Sequence, residues 1–338
     1  MRVLITGGAG HVGAPICERF ARNGWDVHVI DTAPDPLIDG VSYAECDIRD
    51  FAALSQQVDG CDAIAHLAAI PSTMTHPDPT LFRVNVAGTY NVFEAAERAG
   101  VKRIAQASSI NAFGSYWGCD DRQHDYFPLD EEHPPHTTDA YSFSKQLVEE
   151  VAAYYQRRSG IDSVSFRFPA VWSDANIAEQ HLRESLRERR QLLDDFIAGP
   201  PKEREARLAE ARARTLDLRA RRVQEYESIR SGQFDRDAID DWLLRAYYFD
   251  RFNYWAFIHT DDSTQAFEKS LTADFQGAHA LFVNSDLNYL NSDSEALLAT
   301  FFPEVGRRSK TLQGAEALVS IDRVREVIGF EPTVRSLI

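Results

Sequence analysis

Residues 3–13 read Val3-Leu4-Ile5-Thr6-Gly7-Gly8-Ala9-Gly10-His11-Val12-Gly13. Val3–Thr6 is an apolar run of strand character, and His11–Asn23 carries a helical pattern that Gly24 stops. Between them stands Gly8-x-Gly10-x-x-Gly13, where a parallel strand must turn sharply into the helix packed on it. Glycine permits the tight turn, the close approach of a diphosphate to backbone, and tight packing of helix on strand. Free N–H groups at the helix start, with the helix dipole, then bind phosphate. Gly7, Gly10, His11, Val12 and Gly13 are expected to face a dinucleotide.

Outward from this turn, strand and helix signals alternate as parallel βαβ units do. Strands are expected at Asp26–Asp31, Val41–Cys46, Ala63–Leu67, Arg103–Ala107 and Ser163–Phe168, and helices at Leu81–Ala99 and Tyr141–Ser159. Asp31 ends the second strand, 18 residues after Gly13 (31 − 13). A carboxylate there accepts hydrogen bonds from the adenosine ribose hydroxyls and repels a 2′-phosphate. Thr32-Ala33-Pro34 brings no adjacent Arg, so the cofactor is expected to be NAD rather than NADP.

Residues 174–252 differ in composition, with Glu, Arg, Ala, Leu and Gln dominating and breaks at Gly199-Pro200-Pro201 and Gly232. This predicts a mainly helical insertion over about 175–252, covering the mouth of the site or making an oligomer contact. Leu182, Leu186, Leu193, Phe196 and Ile197 give one of its helices a face to bury. A mixed α/β pattern returns from Trp255. The fold class is thus α/β, a Rossmann doubly wound parallel sheet with a smaller C-terminal α/β substrate region and a long helical insertion. The domain division is 1–172 for the NAD-binding part and 173–338 for the substrate-binding part.

The 338 residues carry 36 Lys+Arg against 52 Asp+Glu, a net charge of −16, which makes nucleic acid or an anionic membrane a poor partner. Cys17, Cys46, Cys61 and Cys119 are scattered, with no zinc-ligand spacing, and read as thiols of a reducing compartment. No metal is expected. No stretch approaches the roughly 18–20 apolar residues of a membrane span, so a cytoplasmic protein is expected.

Ser108 and Ser109 follow the fifth strand, at the sheet end where ligands sit. Tyr141 and Lys145 are four apart on one helix face. A phenol with a reference pKa near 10 is a poor base at neutral pH, and a nearby ammonium should lower it. Tyr141 then becomes a proton acceptor or donor for a substrate hydroxyl, with Ser109 bonded to the same oxygen. Ser72, Asn111, Tyr116, Trp117 and His124 are expected in the loops above, where polar and aromatic groups suit a polyhydroxylated ring; Ser72, Asn111 and Trp117 are the substrate candidates. His259 reads as a helix cap.

Together these residues resemble the extended short-chain dehydrogenase/reductases, and among them the NAD-dependent epimerase/dehydratase family. Thr6–Gly13, Asp31, Asp47-Ile48, His66-Leu67-Ala68-Ala69, Asn85, Ser108-Ser109, Tyr141, Lys145 and Phe257–Asp262 carry the resemblance. It implies Ser109, Tyr141 and Lys145 as catalytic residues, Asp47 and Ile48 beside adenine, and Leu67, Ala68 and Ala69 along the cofactor. Lys145 would also bind the nicotinamide ribose, with Asn85 and Pro169 completing the cofactor set. The family's dehydratases carry an Asp-Glu pair where this chain has Ile110-Asn111, so water elimination is not expected. Ala170 stands where nucleotide-sugar enzymes usually carry an Asn, and the run through Asn111 to Phe113-Gly114 resembles the uronate-type dehydrogenases. The resemblance thus implies NAD-dependent oxidoreduction of a secondary hydroxyl on a sugar or sugar-like molecule, by a dehydrogenase or epimerase. A UDP-sugar 4-epimerase is the alternative. A non-enzymatic NAD-binding regulator would not need the Ser–Tyr–Lys set. A homodimer is the expected assembly.

Overall fold

The computed structural model describes residues 1–122, 124–179, 181–234, 239 and 241–338. Within the expected helical segment 175–252, residues 180, 235–238 and 240 lie outside the described residues. The main sheet is built from β1 (Arg2–Thr6), β2 (Asp26–Asp31), β3 (Val41–Glu45), β4 (Ala63–His66), β5 (Arg103–Ala107) and β6 (Asp162–Arg167). β7 (Ala170–Trp172) and β8 (Phe257–His259) form a separate parallel pair, and β9 (Ala278–Phe282) returns to the main sheet. The order in that sheet is β3-β2-β1-β4-β5-β6-β9, and all of its pairs are parallel. Because β9 pairs with β6, the sheet itself crosses the division at residue 172.

Helices cover both faces. α1 (Gly13–Arg22) lies on one face and α2 (Phe51–Val58) on the other. α3 (Asp78–Phe82), a π-helical turn at Arg83–Ala87, and α4 (Gly88–Ala99) follow, with α4 packed between α2 and α5 (Ala140–Ser159). Val3 and Ile5 of β1 pack with Ile16 and Phe20 of α1, whereas Leu4 between them packs with Leu54, Val92 and Phe93 on the opposite face. This is the period of two along a strand. With both faces covered, the strand reads as an unbroken apolar run. α2 has no counterpart among the expected elements. It is short, and the Asp50 carboxylate caps it by accepting from Ala52 and Ala53 N–H. α1 begins two residues later than expected, at Gly13, because Gly10–Val12 form the turn.

The insertion is helical as composition predicts. It comprises α6 (Asp174–Glu179), α7 (Leu182–Ala198), α8 (Pro201–Ala220), α9 (Tyr226–Arg230) and α10 (Trp242–Arg245). A π turn at Ala246–Asp250 and a 3-10 turn at Arg251–Asn253 then lead into β8. Leu182, Leu186, Leu193 and Phe196 are buried, with Ile197 partly so, against Trp255, Phe257 and Phe301. Each such side chain contributes about 1.5–3 kcal/mol on burial, which a charged helix in water could not supply for itself. α11 (Thr260–Thr272) packs on α1, α12 (Ser294–Phe301) joins the C-terminal core, and α13 (Asp322–Ile328) closes the C-terminal part. His259 caps α11, its Nδ1 accepting from Asp261 N–H at 3.3 Å, as its sequence context suggests.

Gly13 is where α1 meets the turn most tightly. A Cβ there would lie 2.3 Å from the Gly7 carbonyl oxygen and 2.8 Å from Gly8 Cα, both backbone atoms. Gly13→Ala should destabilise the protein by about 1–3 kcal/mol, as overpacking does. Gly306→Ala, with nothing within 4 Å, is the control. Equal urea midpoints for the two variants would contradict this packing.

Candidate active site

A cavity of about 760 Å3 opens over the carboxyl ends of β1, β4, β5 and β6. It sits where strand order reverses between β1 and β4, the place an open parallel sheet offers for a ligand. Gly7, Gly10, His11, Val12 and Gly13 line one end. Gly7 has φ +74°, and a Cβ on it would lie 2.6 Å from Ala68 N. The N-cap residue of α1, Val12, offers its first-turn N–H groups no side-chain acceptor. Donors without a capping side chain, on a wall free of Cβ atoms, fit a diphosphate.

Below this end a closed polar chain fixes β1 against β4. Thr89 Oγ1 donates to the Asn85 carbonyl at 2.6 Å, so it accepts from His66 Nε2 at 2.8 Å. His66 Nδ1 then accepts from Thr6 Oγ1 at 2.7 Å, and that hydroxyl accepts Ala68 N–H at 3.2 Å. Burial, with the Lys145 charge adding, pushes His66 down to about 3, so the ring stays neutral.

Ser109, Tyr141 and Lys145, the candidate catalytic set, converge on the cavity. Asp139 caps α5 by accepting Ser142 N–H at 2.8 Å, which places Tyr141 on the first turn facing Ser109. Ser109 Oγ accepts both the N–H of Asn111 (3.1 Å) and its Nδ2 (3.2 Å). The single hydroxyl hydrogen of Ser109 is thereby directed to the Tyr141 oxygen, and that bond favours the phenolate. Lys145 is 4% exposed and donates to the Ala107 carbonyl at 2.7 Å. One turn further along α5, Glu149 accepts two bonds from Arg167, Nε at 3.0 Å and Nη2 at 2.8 Å, and one from Ser108 Oγ at 2.7 Å.

The expected lowering of the phenol by Lys145 is corrected here. Lys145 Nζ lies 5.9 Å from the centre of the Tyr141 ring and spends a hydrogen bond on Ala107. Burial dominates both groups. It pushes Tyr141 up to about 12, against the Ser109 bond, and pushes Lys145 down to about 8, against the attraction of Glu149. Within the pair, the first proton to leave near neutral pH is the one on the amine.

The far side is closed by the insertion: Leu182, Ser185, Leu186 and Arg189 of α7, with Arg245, Phe249, Asp250 and Asn253, line the cavity opposite Tyr116, Trp117 and Trp172. Arg189 pairs with Asp250. Lys145, Arg189 and Arg245 line the cavity, and Asp250 is the one carboxylate among the described lining residues.

The structure thus brings Ser109, Tyr141, Lys145, Asn111, Trp117, Leu67, Ala69, Pro169 and the glycine turn to one cavity. Other expected residues stand away from its lining. Asn85 is buried and gives its amide to both backbone groups of Ile70 and to Ser144, so it holds β4's exit loop to α5. Ile48 is buried against Gly88, where a Cβ would come within 2.5 Å of its Cδ1. Asp47 is held below the usual carboxylate range by Arg49, whose Nε lies 2.9 Å away. Asp31 accepts from Ala9, Thr32 and Ala33 N–H at 3.0, 2.7 and 3.0 Å. Ser72 accepts Met74 N–H, and Ala68 lies on the turn beneath Gly7. His124, expected above the cavity, is packed instead among Phe113, Phe127, Tyr254 and Phe302, with its Nε2 3.3 Å from the Tyr254 hydroxyl. Glu149 and Arg167 escaped the sequence reading, although Glu149 continues the stripe of Tyr141 and Lys145 at a further four residues.

The profile of the NAD dependent epimerase/dehydratase family matches residues 3–190. The chain is 34% identical over 169 residues to a uronate dehydrogenase of Pseudomonas putida, covering 49% of this chain and 59% of that enzyme. It is 31% identical over 171 residues to an L-arabinose 1-dehydrogenase (NAD(P)(+)) of Haloferax volcanii, covering 49% of this chain and 65% of the relative. The chain thus spans about six tenths of the length of these curated relatives. The crystal structure of a UDP-glucose 4-epimerase from Thermotoga maritima superposes with a TM-score of 0.61 at 16% identity, over 99% of this chain and 94% of that one, a likeness of fold.

Lys145 can be titrated directly. In the reductively methylated protein its NMR resonance should move with an apparent pKa of about 8, where an unperturbed lysine titrates near 10.4. A Lys145 resonance titrating with the exposed lysines would contradict its burial.

Proposed function

The chain belongs to the NAD dependent epimerase/dehydratase family, and on that footing we propose that it oxidises a secondary hydroxyl of a sugar acid with NAD. The carrying observation is the Ser109–Tyr141–Lys145 set, with Asn111 fixing the direction of the Ser109 hydrogen, in the same cavity as the glycine turn. Backbone at Gly7 and Gly10–Gly13 would hold the diphosphate and Asp31 the ribose hydroxyls. Asp47 and Ile48 would flank adenine, Leu67, Ala68, Ala69 and Pro169 would wall the remainder, Lys145 would reach the second ribose, and Asn85 would support the wall from behind. Bound NAD supplies the hydride acceptor. Tyr141 takes the hydroxyl proton as its own phenol proton passes to Lys145, while Ser109 keeps its hydrogen on the Tyr141 oxygen. Lys145, pushed down to about 8 by burial, can receive that proton only as the neutral amine, so the relay starts from the form in which Lys145 has lost its own proton.

The cavity's balance of three bases to one acid, in a chain of net charge −16, favours an anionic substrate. The likeness to a uronate dehydrogenase supports a carboxylate as that anion. A UDP-sugar 4-epimerase is the second reading, favoured by the fold likeness to such an enzyme and disfavoured by Ala170 at the usual Asn position. A dehydratase is disfavoured by Ile110-Asn111. No helix among the described residues is long and apolar enough to cross a membrane. A cytoplasmic location is our reading from the four thiols, which are unpaired in the structure. Nucleic acid is not a proposed partner.

Incubation with NAD or NADP and a panel of hexuronates, neutral sugars and UDP-glucose tests the reading. Net nicotinamide reduction is expected with a hexuronate and NAD. Tyr141→Phe should lose about 10²–10⁴ of that rate while binding NAD as before. Epimer formation without net reduction would select the second reading, and undiminished turnover by Tyr141→Phe would remove Tyr141 from the chemistry.

We further propose a homodimer through the outer faces of α3, α4 and α5. Phe82, Tyr90, Phe143 and Tyr154 are exposed there at 41, 41, 43 and 38%, and the Phe82 and Phe143 rings are 6.4 Å apart. Tyr90→Glu with Phe143→Glu should give a monomer by light scattering. An unchanged mass would place any dimer contact elsewhere.

A further inference from the structure

Residues 114–121 form an irregular loop that brings Tyr116 and Trp117 to the cavity. Irregular backbone leaves carbonyls without ladder partners, and burying them unsatisfied is costly. Here the partners come from the insertion. Arg219 of α8, 4% exposed, donates Nη1 to Ser115 O at 2.8 Å and to Gly118 O at 2.7 Å, and Nη2 to Tyr116 O at 2.8 Å. Its guanidinium lies 3.4 Å from the centre of the Phe252 ring. The planar fork can serve several carbonyls while stacking on an aromatic face, which an ammonium cannot do.

The next anchor is ionic. Asp121 receives Arg251 Nη1 at 2.5 Å and Arg212 Nη2 at 2.9 Å, both from the insertion. Arg251 is 1% exposed and holds its place by donating Nε to Phe301 O at 2.8 Å. The neighbouring loop is tied likewise, Thr73 Oγ1 donating to Gln224 O at 2.8 Å. The Tyr116 ring packs on the insertion's own apolar cluster of Val223, Leu244, Tyr248 and Phe249. The loop is also held to the Rossmann part through Cys119 N–H on Thr138 Oγ1 at 2.8 Å.

We propose that the insertion is a built-in clamp on the substrate loop, and that Arg219 is the positioning residue that sets Tyr116 and Trp117 at the cavity. Arg219 touches no reacting atom and acts through the backbone of 115–118. The consequence for turnover rests on the function proposed above, whereas the clamp itself does not.

Arg219→Leu and Arg219→Lys, each as the full chain, test it by hydrogen exchange read on peptides covering 114–122 and, as control, β1 and β5. In Arg219→Leu the loop peptide should exchange at least tenfold faster than in the unsubstituted protein, with β1 and β5 unchanged. Arg219→Lys should fall between. With a hexuronate that the parent protein oxidises, KM should rise about tenfold while NAD affinity stays within twofold. Unchanged loop exchange in Arg219→Leu would overturn the clamp. So would faster exchange spread equally over β1 and β5, which would make Arg219 a general stability residue. If the parent protein oxidises no hexuronate, the functional reading fails and the exchange data still decide the clamp.

Discussion

The bond between Glu149 and Arg167 is the constraint on which the site's geometry rests. Both side chains are about nine-tenths buried, and the two-pronged contact joins α5 to the end of β6 while Ser108 at the end of β5 donates to the same carboxylate. Two strands and one helix are thereby fixed in register at the strand ends beneath the cavity. Tyr141 and Lys145 ride on that helix, so their height above Ser109 follows from this contact. Breaking such a buried pair by removing one partner costs about 3–5 kcal/mol, because a charge is left unpaired. The negative charge of Glu149 also opposes the effect of burial on Lys145. One carboxylate therefore both places the helix that carries the amine and limits how far burial lowers it.

Most of the sheet could be read from the sequence because local and tertiary demands coincide there. The glycines around 7–13 are required by backbone approach, and β1 is apolar over Val3–Ile5 since α1 and α4 cover its two sides. The Ser109–Tyr141–Lys145 set was legible for the same reason: strand ends and helical spacing are local facts. The direction of the Tyr141 shift was not. It depends on how much water the fold removes and on where the Lys145 ammonium finds its acceptor, the Ala107 carbonyl, and neither is written in the spacing of two residues.

His124 and Asn85 show a second kind of limit. Both are polar residues near the expected ligand in sequence, yet His124 packs in an aromatic cluster and Asn85 satisfies the backbone of Ile70. A polar side chain close to a site in the chain can serve the ligand or the buried backbone, and only the three-dimensional inventory of donors and acceptors separates the two. Ser72 accepts its own loop's N–H and belongs with them.

The insertion carries that lesson furthest. Its 175–232 segment holds 13 basic residues, of which 12 are Arg and one, Lys202, is Lys. Mixed with Glu and Asp this composition reads as solvated helix faces. In the structure several of these arginines donate to main-chain carbonyls: Arg183 to Leu337, Arg204 to Ile197, and Arg219 to Ser115, Tyr116 and Gly118. Arg189 and Arg212 go to the buried carboxylates of Asp250 and Asp121. Of these, Arg219 serves the irregular loop that follows β5, whose carbonyls lie outside any strand ladder. Arginine, with five donors and no acceptor, satisfies such carbonyls without needing regular pairing. Arginines that spend their donors on carbonyls and carboxylates in this way let so charged a stretch form one wall of the cavity.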